Sequence, residues 1–277
     1  MRREHPGRVH WNPGLDESSL VVGWSMDGGN LGRRTTDYLN RKLDGQEFAE
    51  IEPEFFFALG GVAVKDDLAR FPESKFSACR EHGLVVFRSD FPESEPYGFL
   101  NSVLDVAEQH CNTKELYVVG AMVGLGAHTT PRQLFAIASS EEMKEALNQY
   151  DLVDDLDYET PPGERPTPNS FLLWAAERRG IPGVSLWVPI PFYLAGMEDV
   201  QAQRKVLGFL DERLALKLDF GDLDQEIRAQ NDQLARARSA FPQVDDYIGR
   251  LESNLRLSDE ENGELVKRIE SFLSQGG

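Results

Sequence analysis

Cysteine is scarce in this sequence, and the few thiols show no spacing that would give them a structural role. Only Cys79 and Cys111 occur among 277 residues, and neither belongs to a C-x-x-C or a paired Cys/His pattern. A disulfide framework and a structural zinc site are therefore excluded, and no metal is expected. Folding must depend on a hydrophobic core, which the 40% hydrophobic content can supply in a chain of this length.

Basic residues are few relative to acids. The chain has 29 Lys and Arg against 47 Asp and Glu, a formal net charge of -18. Because binding to nucleic acids and anionic lipids depends on cations that neutralise phosphate, this balance argues against DNA, RNA or a membrane surface as a partner. No window approaches 18 uncharged apolar residues, and no apolar stretch follows the basic start. We therefore expect a cytoplasmic protein.

Complete catalytic and nucleotide-binding motifs are also missing. The sequence has no G-x-S-x-G and no H-E-x-x-H, and Gly120, Gly124 and Gly126 do not fit a dinucleotide fingerprint or a P-loop. The acid pairs Asp154-Asp155 and Asp245-Asp246 lack the spaced oxygen ligands of a calcium loop. No catalytic residue and no cofactor are predicted, which favours a protein without enzymatic activity and leaves an enzyme as the alternative.

The sequence does contain an alternation of apolar strand patterns and helical patterns. Strands are predicted at "SLVVGWS", "QEFAEIE", "FFFALGGVAV", the hairpin pair "KFSACRE" and "GLVVFRSD", "ELYVVGAMVG", "QLFAIA" and "GVSLWVPIP". Helices are predicted from the first glycine loop to about Leu43, at "PYGFLNSVLDVAEQH", at "SSEEMKEALNQY" with Ser139 as its cap, and at "NSFLLWAAERRG". Continuous apolar strands that follow helices indicate a central sheet covered on both faces, an α/β fold.

From Val200 the patterns are helical only. We therefore predict an N-terminal arm over residues 1–17, an α/β domain over 18–218 and a helical appendage over 219–277. Leu251, Leu255, Leu265 and Ile269 form apolar stripes, which serve either as a partner surface or as cover for the core.

A first candidate site is the loop "WSMDGGNLG" between the first strand and the first helix. Asp27, Gly28, Gly29 and Asn30 lie where exposed amides and the helix dipole can hold an anion. The favoured alternative is that the glycines permit a tight turn and close packing.

A second candidate site is the turn "HTTPR". His128 can act as a general base or ligand, with Thr129, Thr130 and Arg132 placed to hold an oxyanion. The favoured alternative is a structural histidine in a corner that joins two strands, because no partner carboxylate lies at a fixed spacing.

Two tryptophans complete the set of singled-out residues. Trp174 and Trp187 lie in apolar runs, so we expect both in the core and not as platforms for a sugar.

Several segments together resemble the PAC2 family, named after the eukaryotic proteasome assembly chaperone 2 and including archaeal and actinobacterial members. They are "VVGWSMDGGNLG", "YVVGAMVGLGAHTTPRQLFAIASSEE", "FLLWAAERRGIPGVSLWVPIPFYL" and "LGFLDERLALKLDFGDLDQEI". The last three occur in the family's order, and the His-Thr-Thr-Pro turn is similar to the His-Thr-Arg-Pro of bacterial members. The resemblance covers roughly Leu20 to Leu218.

The resemblance implies a three-layer α/β/α domain similar to nucleoside phosphorylases, followed by C-terminal helices and assembled into homo-oligomers, most often trimers. It implies a non-catalytic scaffold or assembly chaperone, with a proteasome-type protein partner. The alternative is a small-ligand binder or an enzyme acting on a nucleoside-like, nucleotide-like or carboxylate substrate at the strand-end loops. Some bacterial members carry a carboxylate-amine ligase label, which would require ATP.

The sequence departs from the family pattern at two places. It ends in Ser274-Gln275-Gly276-Gly277, where archaeal relatives that dock on the proteasome have a hydrophobic-Tyr-any-residue tail. It also has Thr167-Pro168-Asn169-Ser170 where relatives often have a glycine-rich turn. Docking through such a tail, and a ligand pocket at the second position, are therefore not expected.

Overall fold

A computed structural model describes residues 6–25, 27–58, 63–65, 67–153, 156–157, 159–160, 163–164 and 166–274. The acid pair Asp154-Asp155, the middle of "FFFALGGVAV" and the last three residues lie outside this set. The strands are β1 (Gly7–Val9), β2 (Ser18–Trp24), β3 (Gln46–Ile51), β4 (Ala63–Lys65), β5 (Leu68–Arg70), β6 (Ser74–Cys79), β7 (Leu84–Ser89), β8 (Thr113–Gly124), β9 (Phe135–Ala138) and β10 (Gly183–Pro191). The helices are α1 (Leu31–Lys42), α2 (Pro96–Cys111), α3 (Glu141–Leu147), α4 (Pro168–Glu177), α5 (Val200–Leu214), α6 (Gly221–Ala240), α7 (Pro242–Glu252) and α8 (Asp259–Ser274).

A mixed sheet of eight strands organises the fold, in the order β1-β3-β6-β7-β2-β8-β10-β9. β2 pairs in parallel with β7 and β8, whereas β1, β3, β6 and β7 are successive antiparallel neighbours. Parallel strands are apolar along their whole length when both faces are covered. Leu20, Val21 and Val22 of β2 are accordingly all fully buried. The predicted α/β fold is confirmed, while the implied likeness to nucleoside phosphorylases stays an expectation.

One hydrophobic core lies on the face of this sheet where α2 and α4 pack. Phe48, Phe76, Phe87 and Phe99 are fully buried there, and the ring centroids of Phe76 and Phe87 lie 4.4 Å apart. Large aromatic side chains bury much apolar area each, so this cluster contributes strongly to the stability of the sheet.

The segment "FFFALGGVAV" was predicted as one strand, and its first residues are not extended. Pro53–Phe55 is a 3-10 turn, because Pro53 fixes its own φ and starts a helical turn at that position. Phe56 and Phe57 are buried in the core and Phe55 is 40% exposed.

The cap of α3 also differs from the prediction. Ser140, not Ser139, accepts the hydrogen bond from the backbone N–H of Met143 at 3.2 Å. Ser139 still belongs to the sheet edge, because its backbone N–H donates to the carbonyl of Gly183 at 2.9 Å. Its hydroxyl donates to Glu177 at 2.6 Å. The helix therefore begins one residue later than the capping-box spacing indicates.

Trp174 contradicts the expectation of a core position. It is 56% exposed on α4, because it lies on the opposite side of that helix from the buried Leu172, Leu173 and Ala176. Trp187 is half-buried.

The chain divides into two compact units. The first comprises residues 1–26, 32–120 and 135–186, and the second comprises 27–31, 121–134 and 187–277. The boundaries predicted at residues 17 and 218 stay predictions.

The second unit contains the terminal helices. Leu251, Leu265 and Ile269 are buried there and Leu255 is 57% exposed. Three of the four stripe residues therefore cover the core of this unit.

The approach of α1 to β2 requires glycine on both sides. A Cβ on Gly23 would lie 2.7 Å from the carbonyl carbon of Gly32 and 2.7 Å from Cγ2 of Thr36. Gly23→Ala should reduce the free energy of unfolding by about 3 kcal/mol, since backbone atoms cannot move aside as a side chain can.

Gly249→Ala is the matched control, because a Cβ there meets no atom within 4 Å. It should stabilise α7 by about 0.5–1 kcal/mol. Denaturant unfolding of both variants measures the difference, and equal stabilities would contradict the close approach.

Candidate functional site

The eight candidate ligand-binding residues all belong to the second compact unit, which includes residues 27–31 and 121–134. The first loop lies between β2 and α1, and the second between β8 and β9. Loops that are separated by about a hundred residues along the sequence are thus brought into one unit.

The first loop is a 3-10 turn over Gly28–Asn30 that packs closely against residues 190–199. Gly29 has a φ of 65°, and its backbone N–H donates to the carbonyl of Ala195 at 2.9 Å. A Cβ on Gly29 would lie 2.7 Å from Cδ1 of Ile190 and 3.4 Å from the backbone nitrogen of Asp199. The carbonyl of Asp27 accepts from the N–H of Asn30 at 3.1 Å, which closes the turn. Glycine is needed here for both the backbone conformation and the close packing.

His128 is buried and bonded to Tyr193. The phenolic oxygen accepts from the backbone N–H of His128 at 2.6 Å and lies 2.8 Å from its Nδ1. Burial raises the pKa of Tyr193, so the phenol keeps its proton. The tyrosine proton is satisfied when Nδ1 accepts it, which places the histidine proton on Nε2. This arrangement requires a neutral imidazole.

The electrostatic surroundings also keep His128 neutral. Burial, followed by the positive charges of Arg238 and Arg132, lowers the pKa of His128 from 6.5 to about 4, against a smaller opposing effect of Glu252. A general base works best when its pKa is near the operating pH. His128 is therefore a poor proton acceptor at neutral pH.

Arg132 forms a buried ion pair with Asp199. Its Nε donates to the carboxylate at 2.9 Å, and the two side chains are 5% and 0% exposed. Its Nη1 donates to the carbonyl of Thr130 at 2.7 Å. The other carboxylate oxygen of Asp199 accepts from the N–H of Ala202 at 2.9 Å and so caps α5. The same Nη1 lies 3.4 Å from the carbonyl of His128. The guanidinium thus binds an internal carboxylate and two backbone carbonyls of its own turn.

Thr129 is held by the terminal helices. Its hydroxyl donates to Glu252 of α7 at 2.9 Å, and Arg238 of α6 donates to the same carboxylate at 2.7 Å. The Arg238 hydrogen bonds lower the pKa of Glu252. Arg238 also donates to Asp245 at 2.8 Å. The terminal helices therefore fix the turn in place as well as covering the core of their unit.

Sequence reasoning missed the residues that organise both loops. Asp199 pairs with Arg132 of the second loop, and a Cβ on Gly29 of the first loop would lie 3.4 Å from its backbone nitrogen. The signal in the sequence was an aspartate directly before a helical pattern. Tyr193 and Glu252 had no such signal, because each meets the turn through a contact across at least 65 residues of sequence.

The turn that contains His128 and Arg132 is held in place by hydrogen bonds and an ion pair to other residues of the protein. The side chains of His128, Thr129 and Arg132 each bond to a partner within the protein, and Thr130 is exposed with its N–H donating to Ala127. In the described ranges, no three His, Cys, Asp or Glu side chains are grouped so that they could hold a metal ion. Binding of a small ligand by the eight residues stays a prediction.

The mixed α/β sheet, the terminal helices and the internally bonded turn at residues 128–132 together define a class of fold. Comparison with known proteins identifies that class. Residues 20–238 match the model of the PAC2 family, and the chain belongs to this family. A search of curated protein sequences finds no match. None of the helices in the described parts of the chain has the length and apolar character needed to cross a bilayer.

Three solved structures illustrate the similarity. A PAC2 family protein from Streptomyces avermitilis is 24% identical, with a TM-score of 0.68 over 84% of this chain and 100% of that one. Pyrococcus furiosus PbaB, an archaeal proteasome activator, is 19% identical, with a TM-score of 0.68 over 84% and 98%. The proteasome-assembly chaperone homologue of Mycobacterium tuberculosis is 19% identical, with a TM-score of 0.67 over 84% and 99%. At these identities the likeness shows the fold.

The low pKa of His128 predicts a pH dependence of stability. Between pH 6.5 and about 4 the histidine of the unfolded chain binds a proton that the folded state does not bind. The unfolded state is therefore favoured as the pH falls, and His128 should contribute a loss of about 3 kcal/mol across this window and no change above it. His128→Asn keeps an acceptor for Tyr193 and does not titrate. The difference in unfolding free energy between wild type and variant should change by about 3 kcal/mol between pH 7 and pH 4. If the unfolding free energies of wild type and His128→Asn changed equally with pH, the buried neutral histidine would be contradicted.

The buried ion pair predicts a large and rescuable loss of stability. Arg132→Met should cost about 3–5 kcal/mol, because it leaves the Asp199 carboxylate buried without its cation. The double variant with Asp199→Asn should recover part of this loss, since the amide keeps the cap and carries no charge. Arg33→Met is the control: its side chain is 58% exposed and 3.6 Å from Asp37, so it should cost about 1 kcal/mol or less. Equal losses for Arg33 and Arg132, measured by urea unfolding, would argue against the pair.

Proposed function

We propose that this protein is a non-catalytic, homo-oligomeric scaffold with an assembly-chaperone role toward a proteasome-type protein complex. Its membership of the PAC2 family supports the class of function. The similar fold of an archaeal proteasome activator and of a proteasome-assembly chaperone homologue supports the kind of partner. The proposal includes the trimeric state that the family resemblance implies and the cytoplasmic location that the sequence predicts.

One observation carries the proposal: the side chains of the candidate catalytic turn are bonded to other residues of the protein. His128 is neutral and bonded to Tyr193, and Arg132 is committed to a buried carboxylate. Activating a nucleophile requires a base whose pKa is near the operating pH, and stabilising an oxyanion requires donors aimed at an open position. Neither requirement is met by this turn, which favours a structural role.

The net charge of -18 supports a protein partner over nucleic acid. An assembly partner would meet an acidic surface on this protein. Contact should therefore be favoured where the partner presents basic groups.

The test is affinity capture of the full-length tagged protein, expressed at its native level in its own cells beside an untagged copy, with quantitative mass spectrometry. We expect proteasome-type subunits in a fixed ratio to the bait, together with recovery of the untagged copy. His128→Asn is the matched variant and should recover the same proteins in the same ratio, because its role is structural. Capture without any proteasome-type subunit would overturn the chaperone role, and absence of the untagged copy would overturn the homo-oligomer.

A second assay addresses the enzymatic alternative. The purified protein should turn over no nucleoside, nucleotide or amide substrate, and a metabolite panel should produce no thermal stabilisation. A ligand present at 100 times its dissociation constant would add about 2.7 kcal/mol of stability. Turnover by the wild type that His128→Asn abolishes would replace the scaffold by an enzyme.

A further inference from the structure

The strand β9 is the last in the order of the large sheet, so one of its edges has no neighbouring strand. The chain after α3 reaches this edge at a single parallel bridge, between Phe135 and Val153. The N–H of Ala136 donates to the carbonyl of Val153 at 3.1 Å. The edge is therefore covered at the start of the strand.

Ala138 presents its backbone to the same edge, beyond the bridge. Successive residues of a strand face its two edges alternately. The N–H of Ser139 donates to the carbonyl of Gly183 on β10 at 2.9 Å, so it faces the inside of the sheet. The N–H of Ala138, like that of Ala136, faces outward, and no residue in the described ranges accepts it. An unpaired strand edge is a template for pairing with another chain.

The two outer strands of the sheet differ in their protection against such pairing. β1 lies at the opposite end of the sheet, follows Pro6 and carries Arg8, whose guanidinium is 3.5 Å from Glu52. Charges and prolines on an edge strand prevent unwanted pairing. β9 has the sequence Phe-Ala-Ile-Ala, with neither a charge nor a proline. Its edge is therefore suited to an added strand.

A cavity of about 590 Å³ lies along this edge. Its lining includes Ala136, Ile137 and Ala138 of β9, the first residues of α3, and Leu156. The alanines leave room beside the backbone, and the side chains of Ile137 and Leu156 are 40% and 42% exposed. The volume is in the range of ligand sites, and the apolar lining can receive side chains of an added strand.

The end of β9 is held rigidly against its neighbour. The hydroxyl of Ser139 donates to Glu177 at 2.6 Å and accepts from the N–H of Gly183 at 3.0 Å. A binding edge that is already fixed loses little conformational entropy when a partner binds.

The charge around the cavity selects the kind of segment that can bind. Residues 136–157 contain seven acids and one base, Lys144, so this segment alone contributes -6 to the net charge of -18. Glu141 and Asp157 are exposed and line the cavity. A basic segment is attracted by this charge, whereas an acidic segment or a nucleic acid is repelled.

We propose that the open edge of β9 binds an extended, basic segment of a partner protein as an added strand. The N–H of Ala138 donates to a carbonyl of that segment, and Lys or Arg side chains of the segment meet Glu141 and Asp157. Main-chain hydrogen bonds then provide affinity, and the charges and the cavity provide specificity. The inference rests on the proposed function for its protein partner, and it adds where that partner is held and in which conformation.

The first test uses a capped peptide of alternating lysine and valine, labelled with fluorescein, and measures its binding to the full-length protein by fluorescence anisotropy. The same peptide with every backbone nitrogen methylated keeps its charge and cannot pair as a strand. It should bind at least about tenfold more weakly. A peptide of alternating glutamate and valine should not bind. Equal binding of the methylated and unmethylated peptides would mean attraction by charge alone, and the inference would be wrong.

The second test removes the outward N–H from the protein. Ala138→Pro should weaken binding of the lysine–valine peptide at least about tenfold, with the unfolding transition unchanged, because this N–H bonds to no described residue. Ala138→Ser is the matched control: it keeps the N–H and a small side chain, and should bind like the wild type. A folded Ala138→Pro protein with wild-type affinity would refute the added strand.

A third variant tests the charges without altering the backbone. Glu141→Lys with Asp157→Lys should weaken binding of the same peptide at least about tenfold at low ionic strength. Glu212→Lys with Asp232→Lys makes the same change in net charge at exposed positions of the second unit and should leave binding unchanged. Equal effects of the two double variants would mean that the overall charge, and not this cavity, attracts the peptide.

Affinity capture separates this inference from the proposed function. Ala138→Pro should lose the proteasome-type subunits that the wild type captures and still recover the untagged copy. If Ala138→Pro keeps those subunits, the partner is held elsewhere and the inference is wrong, while the scaffold stands. If the wild type captures none and yet binds the peptide in the manner expected, the chaperone role fails and the strand-binding edge stands.

Discussion

The ion pair between Arg132 and Asp199 is the contact on which the organisation of the second unit depends. Both charges are withdrawn from water, and burying either one alone would cost several kcal/mol, so each requires the other. Asp199 also caps α5, so a single carboxylate fixes both a helix start and the second loop, while a Cβ on Gly29 of the first loop would lie 3.4 Å from its backbone nitrogen. The cost of removing charge from water is offset by hydrogen bonds to both carboxylate oxygens of Asp199 and from Nε and Nη1 of Arg132, which makes the arrangement specific as well as stable.

Because of this ion pair, the His-Thr-Thr-Pro-Arg turn is interpreted as a structural element and not as a catalytic site. Histidine, threonine and arginine in one short loop are the residue types of a catalytic site, yet here each side chain is used to hold the loop. Tyr193 binds the imidazole, Asp199 binds the guanidinium, and Glu252 binds Thr129. Because the terminal helices supply Glu252 and Arg238, they are part of the same corner and bury their apolar stripe in the same unit. The polar residues of this turn therefore hold the fold together.

Local sequence patterns were sufficient to predict most helices and strands. They failed where a contact with a residue distant in sequence decided the local structure. The apolar runs of β2 and β8 predicted buried strands because a covered parallel sheet requires such runs. The cap of α3 shifted to Ser140 because the N–H of Ser139 pairs with Gly183, a contact that the capping pattern does not contain. Trp174 was expected in the core because its neighbours are apolar, but only the docking of α4 decided which of its sides faces the sheet.

The sequence by itself determined the α/β class, the helical terminal region, the family and the positions of both glycine-containing loops. Each of these follows from periodicity, composition or motif order within a short window. Only the tertiary structure decided that His128 is neutral, that Arg132 is paired and that Trp174 is exposed. The reason is physical: protonation, ion pairing and exposure depend on neighbours that are remote in sequence, such as Tyr193, Asp199 and the helices around α4, and a local pattern carries no information about them.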